Sequence, residues 1–227
     1  MVARPGKTRM MQHMETVTRE SVVSAAPAST TSSDAVLGID PGLQRTGYAI
    51  LTSPPGRETC RVVEAGVIRL NPRQPLESRL VDLESSLAEL ISTHQAAVLA
   101  CEQLYAHYKH PRTAIIMAHA RGVILALAAR RGLEVIHVAA THVKKYLTGS
   151  GRASKAQIQR AVAATLSLPA IPEPDDVADA LAVAFCGLRL RDADRSVRRP
   201  RRTAGQDVAK GGRGSRRAAA ASTGGSS

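Results

Sequence analysis

The spacing of apolar positions along this chain changes several times, and each change marks an element. Val36 to Asp40 is a short apolar run that ends in an acid. Thr46 to Leu51 and Arg61 to Leu70 are two more strand candidates; in the latter, Val62/Glu64 and Val63/Ala65 begin opposing faces. Pro41-Gly42 and Pro54-Pro55-Gly56 supply the turns between them. From Pro75 to His94 the spacing lengthens to three and four, through Leu76, Leu80, Leu83, Leu87, Leu90 and Ile91, which predicts an amphipathic helix. Ala97 to Cys101 reads as a strand closed by Glu102, and residues 103 to 112 as a polar loop with aromatics. A helix over 113–131 is apolar on nearly every side, so it is either deeply buried or shared with a partner subunit. Leu133 to Val138 is a fifth strand, Lys155 to Leu166 a helix, and Asp176 to Leu190 the last helix, after a linker that Pro169, Pro172 and Pro174 hold extended.

Three consecutive strands, then strands alternating with helices, predict an α/β domain with a five-stranded mixed sheet flanked by helices. That domain spans 35–190. Residues 1–34 are rich in Ser, Thr and Ala without a sustained period and read as a disordered extension, within which Met10, Met11 and Met14 offer alternative starts. Residues 191–227 read as a basic disordered tail.

A length of 227 residues accommodates one substantial core. The three cysteines, Cys60, Cys101 and Cys186, form no Cys-x-x-Cys pair, so neither a disulfide framework nor a structural zinc site is supported, and a reducing cytoplasm fits. No apolar stretch approaches the about 18 residues of a membrane span, and the first 34 residues lack the apolar core of a secretory signal; a soluble protein with no membrane partner is expected. The net charge of +12 is uneven: residues 191–227 carry ten Lys/Arg against three acids. A basic chain points to a polyanionic partner.

Against this background the acids stand out. Asp40 and Glu102 end apolar strands, where parallel sheets present their ligand sites. Asp176 and Asp179, three apart, share one face of a helix. Four unpaired carboxylates in one place repel one another, and a hard divalent cation, Mg²⁺ or Mn²⁺, relieves that repulsion. Two such ions about 4 Å apart suit phosphodiester hydrolysis by activating water and stabilising the leaving oxygen. Asp175 reads as an acid favoured at a helix start.

The text Gly38-Ile39-Asp40-Pro41-Gly42, Thr46-Gly47-Tyr48, Glu102-Gln103-Leu104-Tyr105, Ala120-Arg121-Gly122 and Asp176-x-x-Asp179-Ala180-Leu181-Ala182 resembles, in order and content, the RuvC family of crossover-junction endodeoxyribonucleases. The resemblance covers about residues 35 to 190. It implies a ribonuclease-H-like fold, a homodimer, Mg²⁺-dependent paired nicking of like-polarity strands of a four-way (Holliday) junction in recombination and repair, and handover from the RuvA/RuvB branch-migration motor. It also implies that Asp40, Glu102, Asp176 and Asp179 are the catalytic, metal-holding acids. Lys144 and Lys155 fall where the family places basic residues near the scissile phosphate, and Tyr105 falls where it wedges an aromatic among unstacked bases; Arg121 reads equally as a backbone-phosphate contact and as a helix-surface residue. His107 and His110 share the loop of Tyr105 without metal-ligand spacing, and Lys145 reads as an ordinary surface lysine. The resemblance explains neither the leading 34 residues nor the tail. The competing readings are a noncatalytic junction-binding module and a transposase-type nuclease of the same fold; an actin-like kinase is opposed by the absence of a second motif copy.

Overall fold

The strands marked by the sequence pattern assemble into one sheet in this computed structural model, which describes residues 17–24, 34–53, 59–104 and 111–198. In chain order the elements are β1 (Val17–Ser24), β2 (Val36–Asp40), β3 (Arg45–Thr52), β4 (Arg61–Leu70), α1 (Leu76–His94), β5 (Val98–Glu102), α2 (Pro111–Arg130), β6 (Glu134–Val138), α3 (Ala140–Thr148), α4 (Lys155–Thr165) and α5 (Asp175–Arg198). The sheet order is β1-β4-β3-β2-β5-β6. The first four strands pair antiparallel, whereas β2–β5 and β5–β6 pair parallel. This is a mixed α/β sheet with helices on both faces.

The period of two decides which face each side chain meets. Val36, Val98 and Ala100 belong to a core shared with α3, α4 and α5, whereas Leu37, Ile39, Leu99 and Cys101 pack in a second core with α1 and α2. Helix α5 lies very close to the sheet. A Cβ on Gly38 would stand 2.4 Å from the Ala184 main-chain nitrogen, and one on Gly47 would stand 2.0 Å from the Asp176 carbonyl oxygen. Only glycine permits that approach, and with it the placement of the first turn of α5.

Three elements differ from the sequence reading. The sheet has six strands, because Val17–Ser24, within the stretch expected to be disordered, pairs antiparallel with the outer edge of β4. Its Ser and Thr content masks a strand pattern in which Val17 and Val23 pack against the core while Glu20 pairs with Arg69 at 3.0 Å. Helix α3 fills a segment for which no element is expected. It is only nine residues long, but it buries Val143 and ends at Gly149 in the left-handed conformation typical of a C-cap. Helix α5 runs on to Arg198, past the expected end at Leu190. Arg191 is 3% exposed, donates from NH1 to the Asp34 carbonyl at 2.6 Å and pairs with Asp192 at 2.9 Å. The seemingly tail-like arginine is thus a buried anchor between α5 and the entry to β2.

Helix α2 also corrects an expectation: by length and composition it is long and apolar enough to cross a membrane. Arg121, within it, donates inward to the Glu102 carbonyl of β5. Ala120, Ile124, Leu127 and Ala128 are buried, while Ile115 is 58% exposed.

Candidate active site

The acids converge for reasons of parity and register. Since Val36 and Gly38 face α5, Asp40 does too; Val98 and Ala100 impose the same direction on Glu102. In the parallel pairing Gly38 lies beside Ala100 and Ile39 beside Cys101, so Asp40 and Glu102 follow side by side at the carboxyl ends. Asp176 and Asp179 descend from the first turns of α5, above Gly47, itself the partner of Asp40 in the ladder. The turn leaving Asp40 is held by the buried Thr46, whose hydroxyl donates to the Gly42 carbonyl.

The electrostatics record this convergence. Burial, then the charges of Asp179, Glu102 and Asp176, push the Asp40 carboxyl up to about 8, with Lys155 opposing. Glu102 is raised by burial and Asp179 and lowered in part by Lys144. Asp179 is raised chiefly by burial, against the pull of Lys155. Lys155 Nζ lies 3.2 Å from Asp179 Oδ2 and 3.0 Å from Asp175 Oδ2. Burial works against the charge of Lys155, but its bonds to these two acids prevail and raise its pKa. Asp175 is also bonded by Gln159 Nε2 at 2.6 Å, so it pins α4 to α5. A reciprocal capping box between Ser154 and Gln157 sets the start of α4 and thereby presents Lys155.

Among the described residues no three acids, imidazoles or thiols converge tightly enough to cage an ion as they stand. The donor set nevertheless suits a hard cation. Asp176 Oδ2 is buried and receives no hydrogen bond; Arg45 Nε stands 3.2 Å away as an ionic partner without hydrogen-bond alignment. An orphaned carboxylate oxygen beside a raised Asp40 is a place where added positive charge is favoured. Glu102, Asp179, Lys144 and Lys155 line a common cavity of about 270 Å³, floored by Val143, Ile158 and Val183.

Of the expected DNA contacts, Lys144 and Lys155 thus reach the cavity, and Lys145 is exposed. Arg121 donates from Nε to the Glu102 carbonyl at 3.0 Å and sets Nη2 2.8 Å from His137 Nδ1. Tyr105, His107 and His110 lie outside the described residues. Sequence reasoning missed Arg45, which carries no signal beyond its place at the start of β3. It also missed the seating role of Gly47, whose signal is a glycine at the ladder position opposite a carboxylate.

A mixed sheet of this order, with acids at the adjacent ends of its central parallel strands and on the helix that crosses them, defines a ribonuclease-H-like domain. Comparison with known proteins narrows it. The family profile "Crossover junction endodeoxyribonuclease RuvC" matches residues 36–187, and the chain belongs to that family. It is 48% identical over 166 residues to the crossover junction endodeoxyribonuclease RuvC of Rhodopirellula baltica, covering 73% of this chain and 90% of that protein. To the RuvC of Caldicellulosiruptor saccharolyticus it is 44% identical over 151 residues, 66% of this chain and 90% of the relative. The solved structure of Thermus thermophilus RuvC in complex with a Holliday junction substrate superposes with a TM-score of 0.65 at 27% identity, over 70% of this chain and 96% of that one. Strand β1 and the last turns of α5 lie outside the family match.

Proposed function

We propose that this protein is a structure-selective endonuclease that resolves four-way DNA junctions by paired nicks in strands of like polarity. The carrying observation is the meeting of Asp40, Glu102, Asp176 and Asp179, from three separate elements, beside the two lysines of one cavity. A divalent cation, Mg²⁺ or in its place Mn²⁺, would be held by these four carboxylates and would supply charge to polarise the scissile phosphodiester. The chain's own residues do the rest. Lys144 and Lys155 give the approaching phosphate its first positive contacts, so that bare acids do not repel it. Lys155 shields Asp179 until then. Arg121 holds the end of β5 so that Glu102 keeps its position. Tyr105 remains the family-based candidate for stacking on unpaired bases at the crossover.

Paired cutting needs two like sites, and a two-fold dimer provides them. The face of α2 that carries the exposed Ile115, Ala118, Gly122, Ala126 and Ala129 at helical spacing supports a homodimer through this helix. RuvA/RuvB are the proposed branch-migration partners, and the three free cysteines accord with action in the cytoplasm.

The deciding experiment compares cleavage of a mobile-core four-way junction with that of linear duplex of the same sequence, with Mg²⁺ or chelator, for wild type and Asp40→Asn. Symmetric nicks in the junction alone, lost with chelator or in the variant while binding persists, support the proposal. Binding without cutting in any metal would favour a noncatalytic module. Equal cutting of linear duplex would move the assignment to another nuclease of this fold.

A further inference from the structure

Helix α3 carries an exposed aromatic stack beside Lys144, the lysine it sends into the cavity. The rings of His142 and Tyr146, four residues apart, lie 6.0 Å between centroids and 12° from parallel. Tyr146 leans on Phe185 of α5 at 5.8 Å, and the Arg189 guanidinium sits 5.2 Å over the Phe185 ring. Phe185 is buried, whereas His142 is exposed and Tyr146 is 50% exposed. Aromatics are scarce here, with four Tyr, one Phe and no Trp. Among the described residues Tyr146 is the one Tyr or Phe ring left open to solvent.

The segment that carries the stack has charged side chains of a single sign. From Val135 to Pro172 the chain has no Asp or Glu, but it has Lys144, Lys145, Arg152, Lys155 and Arg160. Val143 is buried beneath α3, Lys144 leaves one side of it to line the cavity, and His142 and Tyr146 leave the other, with the exposed Lys145 between. The stack is therefore within one helical turn, about 5 Å along the axis, of a lysine at the cutting site. An exposed ring pair already immobilised by packing, with the exposed Lys145 beside it, matches a ligand that offers both phosphates and π-faces.

We propose that His142 and Tyr146 form a stacking platform for a base of the junction strand as it leaves the cutting site, with Lys145 on that nucleotide's phosphate. This rests on the nuclease reading above, and it adds a contact outside the acid cluster that would select distorted or unpaired arms over regular duplex, whose bases are already stacked.

The test uses the full-length protein, chelator and a four-way DNA junction carrying 5-iododeoxyuridine at successive positions around the cutting point. Irradiation of wild type is expected to crosslink one position to the peptide containing His142 and Tyr146. Binding of the same junction is expected to weaken about tenfold in His142→Ala/Tyr146→Leu, to stay within about twofold in Tyr146→Phe, and to leave the cutting rate at saturating DNA unchanged. Because Tyr146 covers Phe185, the single variant His142→Ala, which alters only an exposed ring, must weaken binding in the same direction. Unchanged affinity in both variants, or crosslinks confined to other peptides, would overturn the platform while wild type still cuts junctions. A wild type that neither binds nor cuts them would instead remove the nuclease reading and the platform with it.

Discussion

Arg121 Nε donates to the main-chain carbonyl of Glu102 at 3.0 Å, which ties the middle of α2 to the carboxyl end of β5. A guanidinium used this way helps to fix the end of β5, and the same group meets His137 on β6. Arg121→Ala is expected to lower the cutting rate at saturating junction about tenfold while changing junction affinity less than twofold. Lysine cannot reproduce the fork, so Arg121→Lys should fail to restore the rate. A purely weakened affinity would show that Arg121 contacts phosphate instead.

The Asp40 carboxyl, moved by burial and its acid neighbours from an ordinary 3.8 to about 8, makes the metal-free fold sensitive to pH. A folded pKa above the unfolded one means that its contribution is fully present below about pH 4 and is lost as pH rises through about 8. Asp40→Asn is therefore expected to stabilise the metal-free protein on the order of a few kcal/mol at pH 8, with the difference fading toward pH 4. Thermal denaturation in chelator at both pH values measures it. Since a bound cation displaces the same proton, Mg²⁺ should raise the wild-type melting temperature more at pH 8 than at pH 6.5.

Gly47 seats Asp176. Its substitution by alanine drives a Cβ into the Asp176 carbonyl oxygen, so the first turn of α5 must lift. Gly47→Ala should cost about 1–3 kcal/mol of stability and most of the cutting activity, with junction binding largely retained. Retained activity would mean that the helix can shift without moving its acids.

Helix α5 continues past Leu190 to Arg198. Truncation at 190 removes the buried Arg191 and leaves Asp34 without its pairing, so it should lower the melting temperature by several degrees; truncation at 198 should leave it unchanged. Residues 199–227 hold seven Lys/Arg and one acid. Their removal is expected to flatten the slope of log affinity against log salt for junction binding through lost counterion release. An unchanged slope would leave the tail without a part in binding.

Local pattern alone determined much of this protein. The strand ends at Asp40 and Leu70, the amphipathic α1 and the start of α4 are read correctly, since alternation and three-four spacing are local consequences of burial on one face. The strand ends at Asp40 and Glu102 were also legible, because a carboxylate closing an apolar strand is conspicuous against hydrophobic neighbours. Which residues of the flanks join the fold was decided only by tertiary structure. Val17–Ser24 is a strand because the edge of β4 is open to it, and Arg191 is buried because Asp34 waits at the entry to β2. Likewise, Arg121 is drawn inward by a carbonyl 19 positions earlier, and His142 and Tyr146 stack over a phenylalanine 39 positions beyond Tyr146. Such partners are remote along the chain and become neighbours only when the sheet and α5 close on each other.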